Sequence, residues 1–313
     1  MENRCIQGLE SLPTQVCGGV LTIGNFDGVH LGHQVILQAA KTLAAAEGLA
    51  VVAMTFDPPP DLVVRPGDLP QRLLPHMQKC QLMRTAGADW VLTVKSEPAM
   101  LAMLPEEFVQ KVVVDRLAPK HLVEGDDFRF GRQRKGDVQT LQQLGRRAGF
   151  TVHVVPPVTL SLAGGTNRVS SSLIRWLITG GKVDEAARCL GRDFALYGHV
   201  TSGQGHGRLL QFPTANINPA EQVIPADGVY AGWAKVAGRR YLAAISVGNK
   251  PTLGPVNERA VEAFLIDAEK DCYGMDMKLG FVARLRDQER FSDVAALQKQ
   301  IAEDVSNVRR ICR

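Results

Sequence analysis

The chain has 313 residues, and its 36 Lys and Arg against 32 Asp and Glu give a formal net charge of +4. This length predicts two domains. Hydrophobic residues make up 45% of the chain, which excludes an intrinsically disordered protein, because disordered chains bury too little apolar surface to offset the entropy of folding. The small charge, with basic and acidic residues interleaved, does not indicate a nucleic-acid-binding protein.

The apolar pattern argues against a membrane span and against an export signal. The longest apolar run, at about residues 49–56, is far shorter than the ~20 residues that cross a bilayer. Charged residues precede any apolar stretch, so we expect no signal peptide. We therefore expect a cytoplasmic protein with reduced thiols. None of the six cysteines is spaced as in a zinc site: Cys5, Cys17, Cys80, Cys189, Cys272 and Cys312.

Strand-like and helix-like patterns alternate between residue 19 and about residue 190. Apolar runs predict strands at 19–26, 49–56, 90–95, 121–125 and 150–155. Helical patterns occupy 32–47, 71–86, 105–116 and 137–148, and Gly48 is placed to end the first of these helices. Such alternation predicts an α/β domain with a parallel sheet covered on both faces.

After about residue 192 the chain becomes rich in short β-type runs. These runs span 196–201, 228–236, 241–247, 261–267 and 277–286, and they predict a small antiparallel barrel. A final helix follows, with Ser292 as its predicted N-cap. Its apolar residues recur every three or four positions: Val294, Leu297, Ile301, Val305 and Val308. We predict domains at 1–188 and 189–313.

A glycine-rich segment with two histidines links the first strand to the first helix. It runs Gly-Asn-Phe-Asp-Gly-Val-His-Leu-Gly-His from Gly24 to His33. A helix N-terminus attracts phosphate, and glycine lets the backbone approach a ligand closely. His30 and His33 share a helix face, where two imidazoles could donate hydrogen bonds to a phosphoryl group. The alternatives are a turn with two surface histidines, or half of a metal site.

Two further segments of the first half carry polar side chains. Residues 168–175 read Arg-Val-Ser-Ser-Ser-Leu-Ile-Arg, which alone would indicate a serine N-cap. Residues 125–131 read Gly-Asp-Asp-Phe-Arg-Phe-Gly and close a strand at the end where open α/β sheets bind ligands. Alone, this second segment could be a loop with buried aromatic rings.

The second half contains a different arrangement of possible phosphate ligands. Residues 205–216 begin with Gly-His-Gly-Arg and end with Pro-Thr-Ala-Asn. Thr214 and Asn216 offer hard oxygen donors suited to Mg²⁺, and the glycines let backbone N–H groups fold over phosphates. Glu262 lies in an otherwise apolar strand. The alternatives are a polar turn on a barrel and a glutamate that faces solvent.

These motifs resemble those of the bacterial bifunctional riboflavin kinase/FAD synthetases. The first half is similar to their adenylylating domain, one of the nucleotidylyltransferases with a His-x-Gly-His motif. The second half resembles their riboflavin kinase domain. The resemblance implies a parallel-sheet α/β domain followed by an antiparallel six-stranded barrel with a C-terminal helix. It implies that the barrel converts riboflavin to FMN with MgATP, and that the α/β domain converts FMN and ATP to FAD and pyrophosphate.

The resemblance also implies roles for individual residues. The expected catalytic residues are His30, His33 and Glu262, and Thr214 and Asn216 are expected to hold Mg²⁺. Asp127, Phe128 and Arg286 are expected to contact the flavin. The expected nucleotide-binding residues are Gly24, Asn25, Phe26, Asp27, Gly28, Arg168, Ser171, Ser172, Arg175, Gly205, Gly207, Arg208, Thr214 and Asn216. The expected partners are riboflavin, FMN and ATP, without nucleic acid or membrane, and a homo-oligomer is compatible with the sequence.

The chain departs from the family pattern at three positions. Pro59 replaces a histidine, Gln211 replaces a glycine, and Ser172 replaces a threonine but keeps the hydroxyl. The missing histidine motivates one alternative, a riboflavin kinase with a degenerate adenylyltransferase domain. A second alternative is a non-catalytic flavin- or RNA-binding regulator. The presence of the two histidines and of Glu262 argues against both.

Overall fold

The computed structural model describes residues 4–10, 12–64, 67, 71–201, 214–219, 221–249, 259–268, 272–289 and 291–312. The chain divides into two compact units. The first unit contains residues 1–70 and 76–170, and the second contains residues 71–75 and 171–313.

The first unit is built on one parallel sheet. Its strands are β1 (Cys5–Gln7), β2 (Val20–Ile23), β3 (Val51–Phe56), β4 (Trp90–Val94), β5 (His121–Gly125) and β6 (Thr151–Val155). They lie in the order β1-β4-β3-β2-β5-β6, and every pair is parallel. The predicted α/β sheet is confirmed, and β1 is an additional edge strand that the sequence did not indicate.

Helices connect these strands. They are α1 (Leu31–Glu47), α2 (Pro60–Val64), α3 (His76–Thr85), α4 (Pro98–Leu101), α5 (Pro105–Phe108) and α6 (Val138–Ala148). A π-helical stretch, Val109–Leu117, continues α5. Two 3₁₀ turns (Thr14–Val16 and Arg132–Arg134) and a hairpin of β7 (Thr159–Leu162) and β8 (Gly165–Arg168) complete the unit. Gly48 ends α1 with φ +66°, as predicted.

The predicted helix at 71–86 was wrong in its first turn. The helix begins at His76, because Pro75 disfavours helical geometry in the residue before it. Residues 71–75 belong instead to the second unit, where Arg72 forms a β-bridge with Gln222.

The strand order indicates where a ligand would bind in this sheet. From β2 the chain passes to β3 on one side, and β5 later joins β2 on the other side. Open α/β sheets bind ligands at the carboxyl ends of their strands, at the point where the order reverses. The turn after β2 and the loop after β5 therefore meet at this point. A cluster of buried apolar side chains, including Leu21, Met54 and Leu122, supports the sheet beneath it.

The second unit is a closed antiparallel barrel. Its strands are β9 (Phe194–Thr201), β10 (Thr214–Pro219), β11 (Gly228–Val236), β12 (Arg239–Asn249), β13 (Arg259–Leu265) and β14 (Asp276–Arg286). They close in the order β10-β13-β12-β11-β14-β9, which confirms the predicted six-stranded barrel. The fully buried rings of Phe194, Tyr230 and Phe281 pack against one another in it. Helices α7 (Ser171–Thr179) and α8 (Val183–Leu190) precede the barrel.

The C-terminal helix α9 (Val294–Ile311) packs on the barrel, as predicted. Val308 is buried against Ala231 and Ile266. The predicted N-cap, Ser292, was wrong by one residue. Asp293 directly precedes the first helical residue, and its carboxylate accepts the Ala296 N–H at 2.8 Å.

Two further features of the chain concern its cysteines and its helices. All six cysteines are free thiols. No helix in the described part of the chain has both the length and the apolar character needed to cross a membrane.

Candidate active sites

The turn after β2 has a strained backbone. Phe26 and Val29 adopt φ of +48° and +39°, and Gly28 adopts +80°. A positive φ is energetically costly for residues other than glycine, and it persists where the surrounding structure enforces it. The Val29 N–H closes the turn on the Phe26 carbonyl at 3.1 Å. The chain thereby reverses at the end of β2 and enters α1 at its N-terminus.

The two predicted catalytic histidines lie together at that N-terminus. His30 is the N-cap of α1, and its Nδ1 accepts the backbone N–H of His33 at 3.4 Å. Because Nδ1 is the acceptor, the neutral ring carries its proton on Nε2. The two rings stack with centroids 3.6 Å apart. A Cβ atom on Gly32 would lie 3.1 Å from the His30 ring, so glycine allows this close packing.

His33 is held in its neutral form. Burial lowers its pKa well below the usual value of 6.5, and the nearby His30 and Lys79 lower it further. Its Nδ1 is buried and has no hydrogen-bond partner among the described residues. A buried polar atom without a partner is uncommon in folded proteins. This atom therefore marks a place where a ligand group can bind.

Acidic side chains follow β5 at the same edge of the sheet. Arg168 places its Nη2 2.5 Å from Asp126 Oδ1 and 2.9 Å from Asp127 Oδ1. The family resemblance implies that Arg168 contacts the nucleotide and Asp127 contacts the flavin. In the structure, the two side chains belong to one ion-pair cluster. Asp126 was not predicted. Phe128, the other predicted flavin contact, stacks on Phe130 with centroids 5.5 Å apart.

Two buried charged side chains beside this site were not predicted. Glu124 of β5 is 3% exposed and accepts the Ile23 N–H at 2.6 Å. Burial raises its pKa well above 4.5, and Asp127 adds to the effect, although the Ile23 N–H opposes it. Lys79 of α3 is 5% exposed. Neither residue belongs to a motif, and no sequence pattern distinguished them from surface residues.

In the barrel, the predicted kinase residues lie on two neighbouring strands. Asn216 of β10 is directly opposite Glu262 of β13, and Thr214 is opposite Phe264. Directly paired residues point to the same face with Cβ atoms about 5 Å apart. Val261 and Ala263 are buried, so Glu262 lies on the opposite face of β13. The strand pairing thus brings together all three side chains that the sequence assigned to phosphate transfer.

The donor set on this face fits Mg²⁺. A hydroxyl, a carboxamide and a carboxylate are hard oxygen ligands, and Mg²⁺ completes its coordination with waters and substrate phosphates. No group of three or more His, Cys, Asp or Glu in the described ranges is placed to hold a metal ion. Magnesium held by Thr214 and Asn216 would take its remaining ligands from water and substrate phosphates.

The other predicted site residues have more varied positions. Arg286 forms a two-point ion pair with Asp304 of α9, at 3.1 and 2.7 Å, so its guanidinium anchors that helix. Arg175 Nε donates to the Gln71 carbonyl at 2.9 Å. Ser171 and Ser172 begin α7, and with Arg175 they belong to the second unit. Gly205, Gly207, Arg208 and Gln211 lie outside the described residues.

Comparison with known protein families agrees with this division. Residues 12–173 match the FAD synthetase family, and residues 190–312 match the riboflavin kinase family. The two matched ranges together cover most of the chain, and each contains one of the two candidate sites.

Individual relatives match the chain along nearly its whole length. A bifunctional riboflavin kinase/FMN adenylyltransferase of Escherichia coli K12 is 34% identical over 96% of this chain and 94% of the relative. One from Pseudomonas fluorescens is 34% identical over 97% and 96%. The crystal structure of a macrolide-efflux protein from Streptococcus pneumoniae is 28% identical, with TM-score 0.88 over 97% and 98% of the two chains. The chain therefore belongs to the family of bifunctional riboflavin kinase/FMN adenylyltransferases.

Proposed function

We propose that the α/β unit transfers AMP from ATP to FMN through His30 and His33, and that the barrel phosphorylates riboflavin through Glu262. Family membership supports both activities in one chain. The observation that carries the residue assignment is the stacked histidine pair at the N-terminus of α1. It combines hydrogen-bond donors with the positive end of a helix dipole, where phosphate binds.

In the adenylyl transfer, a phosphate oxygen of FMN attacks the α-phosphorus of ATP. The bond to the bridging oxygen breaks, and pyrophosphate leaves with the electron pair. Negative charge increases on the α-phosphoryl oxygens during this step, and donors aimed at such oxygens stabilise the transition state. The neutral His30 ring donates through Nε2, because its Nδ1 already accepts the His33 N–H. The low pKa of His33 keeps that ring neutral as well.

In the riboflavin kinase reaction, Glu262 accepts the proton of the ribityl 5′-hydroxyl. The resulting oxygen attacks the γ-phosphorus of ATP, and ADP leaves. A magnesium ion neutralises charge on the phosphates when bound. Asn216 lies directly across from Glu262, which supports a metal ligand beside the base, where the phosphates and the hydroxyl would be held together.

The product pattern of the purified chain distinguishes this proposal from its alternatives. Riboflavin and ATP are supplied with Mg²⁺ or with EDTA, and FMN and FAD are separated by chromatography. We expect FMN to appear first, FAD and pyrophosphate to follow, and EDTA to stop both reactions. Formation of FMN alone would indicate a degenerate adenylyltransferase domain, and formation of neither product would indicate a regulator. The cytoplasmic location expected from the sequence stays a prediction.

A further inference from the structure

Lys79 is a buried lysine beneath the adenylyl-transfer site. Only 5% of its surface is exposed, and lysine is rarely buried unless its charge is compensated. Its Nζ lies 3.1 Å from the Asn25 carbonyl, 2.9 Å from the Thr55 hydroxyl and 3.2 Å from the Phe56 carbonyl. An ammonium group has three N–H donors, and each of these three oxygens lies within hydrogen-bond distance of it.

The three acceptors connect the ends of two neighbouring strands. Asn25 follows β2, whereas Thr55 and Phe56 are the last residues of β3. The Thr55 hydroxyl also donates to the Asn25 carbonyl at 3.2 Å. Lys79, Thr55 and Asn25 therefore form a closed triangle of hydrogen bonds, which fixes the direction of the Asn25 carbonyl.

The fixed carbonyl controls the turn that leads to the histidines. It belongs to the peptide that precedes Phe26, whose φ of +48° is strained. The Phe26 ring meets the His33 ring edge-on, with centroids 5.1 Å apart. A chain of contacts thus runs from Lys79 through Asn25 and Phe26 to His33.

The charge of Lys79 also acts on His33. Burial is the largest cause of the low pKa of His33, followed by His30 and then by Lys79. The cation lies behind the turn that enters α1, so it adds to the positive potential of the helix N-terminus. Both effects favour a neutral imidazole beside an anionic substrate.

We propose that Lys79 is a positioning residue for adenylyl transfer. Its ammonium group holds the turn after β2 in the shape that presents His33 to the phosphoryl group, and it supplies a fixed positive charge behind that turn. This inference rests on the proposed role of His30 and His33.

The first test compares Lys79→Met, which removes the charge and the hydrogen bonds, with Lys79→Gln, which keeps part of the hydrogen bonding. Lys111→Met is the control, because the Lys111 side chain is 58% exposed and its ammonium group pairs with the surface residue Glu107. We expect kcat for FMN adenylylation to fall about 10²-fold in Lys79→Met, the usual effect of a small misplacement in an active site, and less in Lys79→Gln. Riboflavin phosphorylation in the same preparations should be unchanged.

The pH profile separates positioning from a merely structural role. The ionisable groups that act on the pKa of His33 are His30 at the N-terminus of α1 and Lys79 on α3. Removing the Lys79 cation raises the pKa of His33, so the acid limb of the kcat profile for FAD formation should move to higher pH. A structural defect would lower the rate by one factor at every pH and leave that limb in place, which would overturn the proposal.

Wild-type FAD formation by Lys79→Met would also overturn it. If Lys79→Met does not fold, the pH profile of Lys79→Gln decides by the same criterion. A parallel His30→Ala variant distinguishes the proposed role of the histidines from the proposed role of Lys79. If His30→Ala adenylylates FMN normally, the proposed function fails. If His30→Ala is inactive while Lys79→Met is normal, only the role of Lys79 fails.

Discussion

At the proposed adenylyl-transfer site, the geometry depends on single residues. The His30 ring accepts the backbone N–H of His33, and the His33 ring stacks on it. This pairing is possible because Gly32 leaves room for the first ring. The spacing of the motif thus has a direct geometric reason in the structure.

Replacing His33 with Ala tests its role as a donor to the transition state. We expect kcat for FMN adenylylation to fall by ~10²–10³, the usual effect of losing one such donor, with a much smaller change in KM for ATP. His199→Ala is a suitable control, because that histidine is 73% exposed on the barrel. A parallel fall in riboflavin phosphorylation, with a lower melting temperature, would show that His33 is structural.

Glu124 makes stability depend on pH. Its pKa is raised in the folded state, so its favourable contribution is complete below the unfolded pKa and is lost as pH rises through the folded pKa. Glu124→Gln keeps an acceptor for the Ile23 N–H and removes the charge. We therefore expect the variant to unfold at a higher temperature than the wild type at pH 8, and to match it at pH 4.

Glu107 has the opposite effect on the pH dependence of stability. The Leu104 N–H and Lys111 lower its pKa, so its contribution is present above the unfolded pKa and lost as pH falls. The melting temperature of Glu107→Gln should therefore differ from that of the wild type above the unfolded pKa and equal it in acid.

For Glu124, a Glu124→Gln variant that is less stable than the wild type at both pH values would contradict the prediction. It would show that the charged carboxylate, and not the neutral acid, stabilises the fold.

The sequence predicted the residues that belong to motifs and missed those that act from outside them. The motif residues form two pairs in the fold. His30 stacks on His33, and Asn216 lies opposite Glu262. Lys79 occupies a polar helix and would pass for a surface lysine. Its burial depends on where α3 packs against the ends of β2 and β3, which no local pattern records.

Among the structural elements, helix α9 makes a largely buried ion pair with the barrel. Asp304 is 4% exposed, and it accepts two hydrogen bonds from Arg286 and a third from Gln300. Arg286 also lies over the Phe291 ring, 5.7 Å from its centroid. Its predicted flavin contact stays a prediction, whereas its contact with α9 is direct.

Asp304→Ala should destabilise the barrel by about 3 kcal/mol, because removing one partner leaves an uncompensated buried charge. Denaturant unfolding followed by Trp233 fluorescence measures this change. Glu303→Ala alters the neighbouring exposed position of the same helix and should have little effect. Equal stability of Asp304→Ala and the wild type would mean that the Arg286–Asp304 ion pair does not stabilise the packing of α9.

Element boundaries were predictable where apolar periodicity was strong. Strand β10 escaped prediction because Thr214–Pro219 alternates small and polar residues with a single buried Ile217. Its place is set by pairing with β9 and β13. The N-cap of α9 fell on Asp293 and not on Ser292, because both residue types are good caps and only geometry distinguishes them.

At the scale of the whole molecule, the chain enters the second unit twice. Residues 71–75 are tied to the barrel by Gln222, whose side-chain amide donates hydrogen bonds to the carbonyls of Leu73 and Ala195. Helices α7 and α8 also belong to this unit. The boundary at 188/189 stays a prediction, and it lies within α8.

Fragments test where the second unit begins. We expect residues 171–313 to fold and to make FMN but not FAD, whereas residues 189–313 should be less stable, since they lack the buried Ile178, Val183 and Ala186. Circular dichroism melting and chromatography of flavin products measure both properties. A folded 171–313 fragment that makes no FMN would contradict a self-sufficient kinase unit.

In the proposed function, His30 and Glu262 serve two separate reactions in one chain. The most direct measurement is the yield of FMN and FAD from riboflavin and MgATP with His30→Ala, with Glu262→Gln, and with the two variants mixed. We predict that His30→Ala accumulates FMN, and that Glu262→Gln makes nothing from riboflavin but makes FAD from added FMN. The mixture should regain FAD synthesis from riboflavin. FMN formation by Glu262→Gln, or FAD formation by His30→Ala, each at the wild-type rate, would contradict the account.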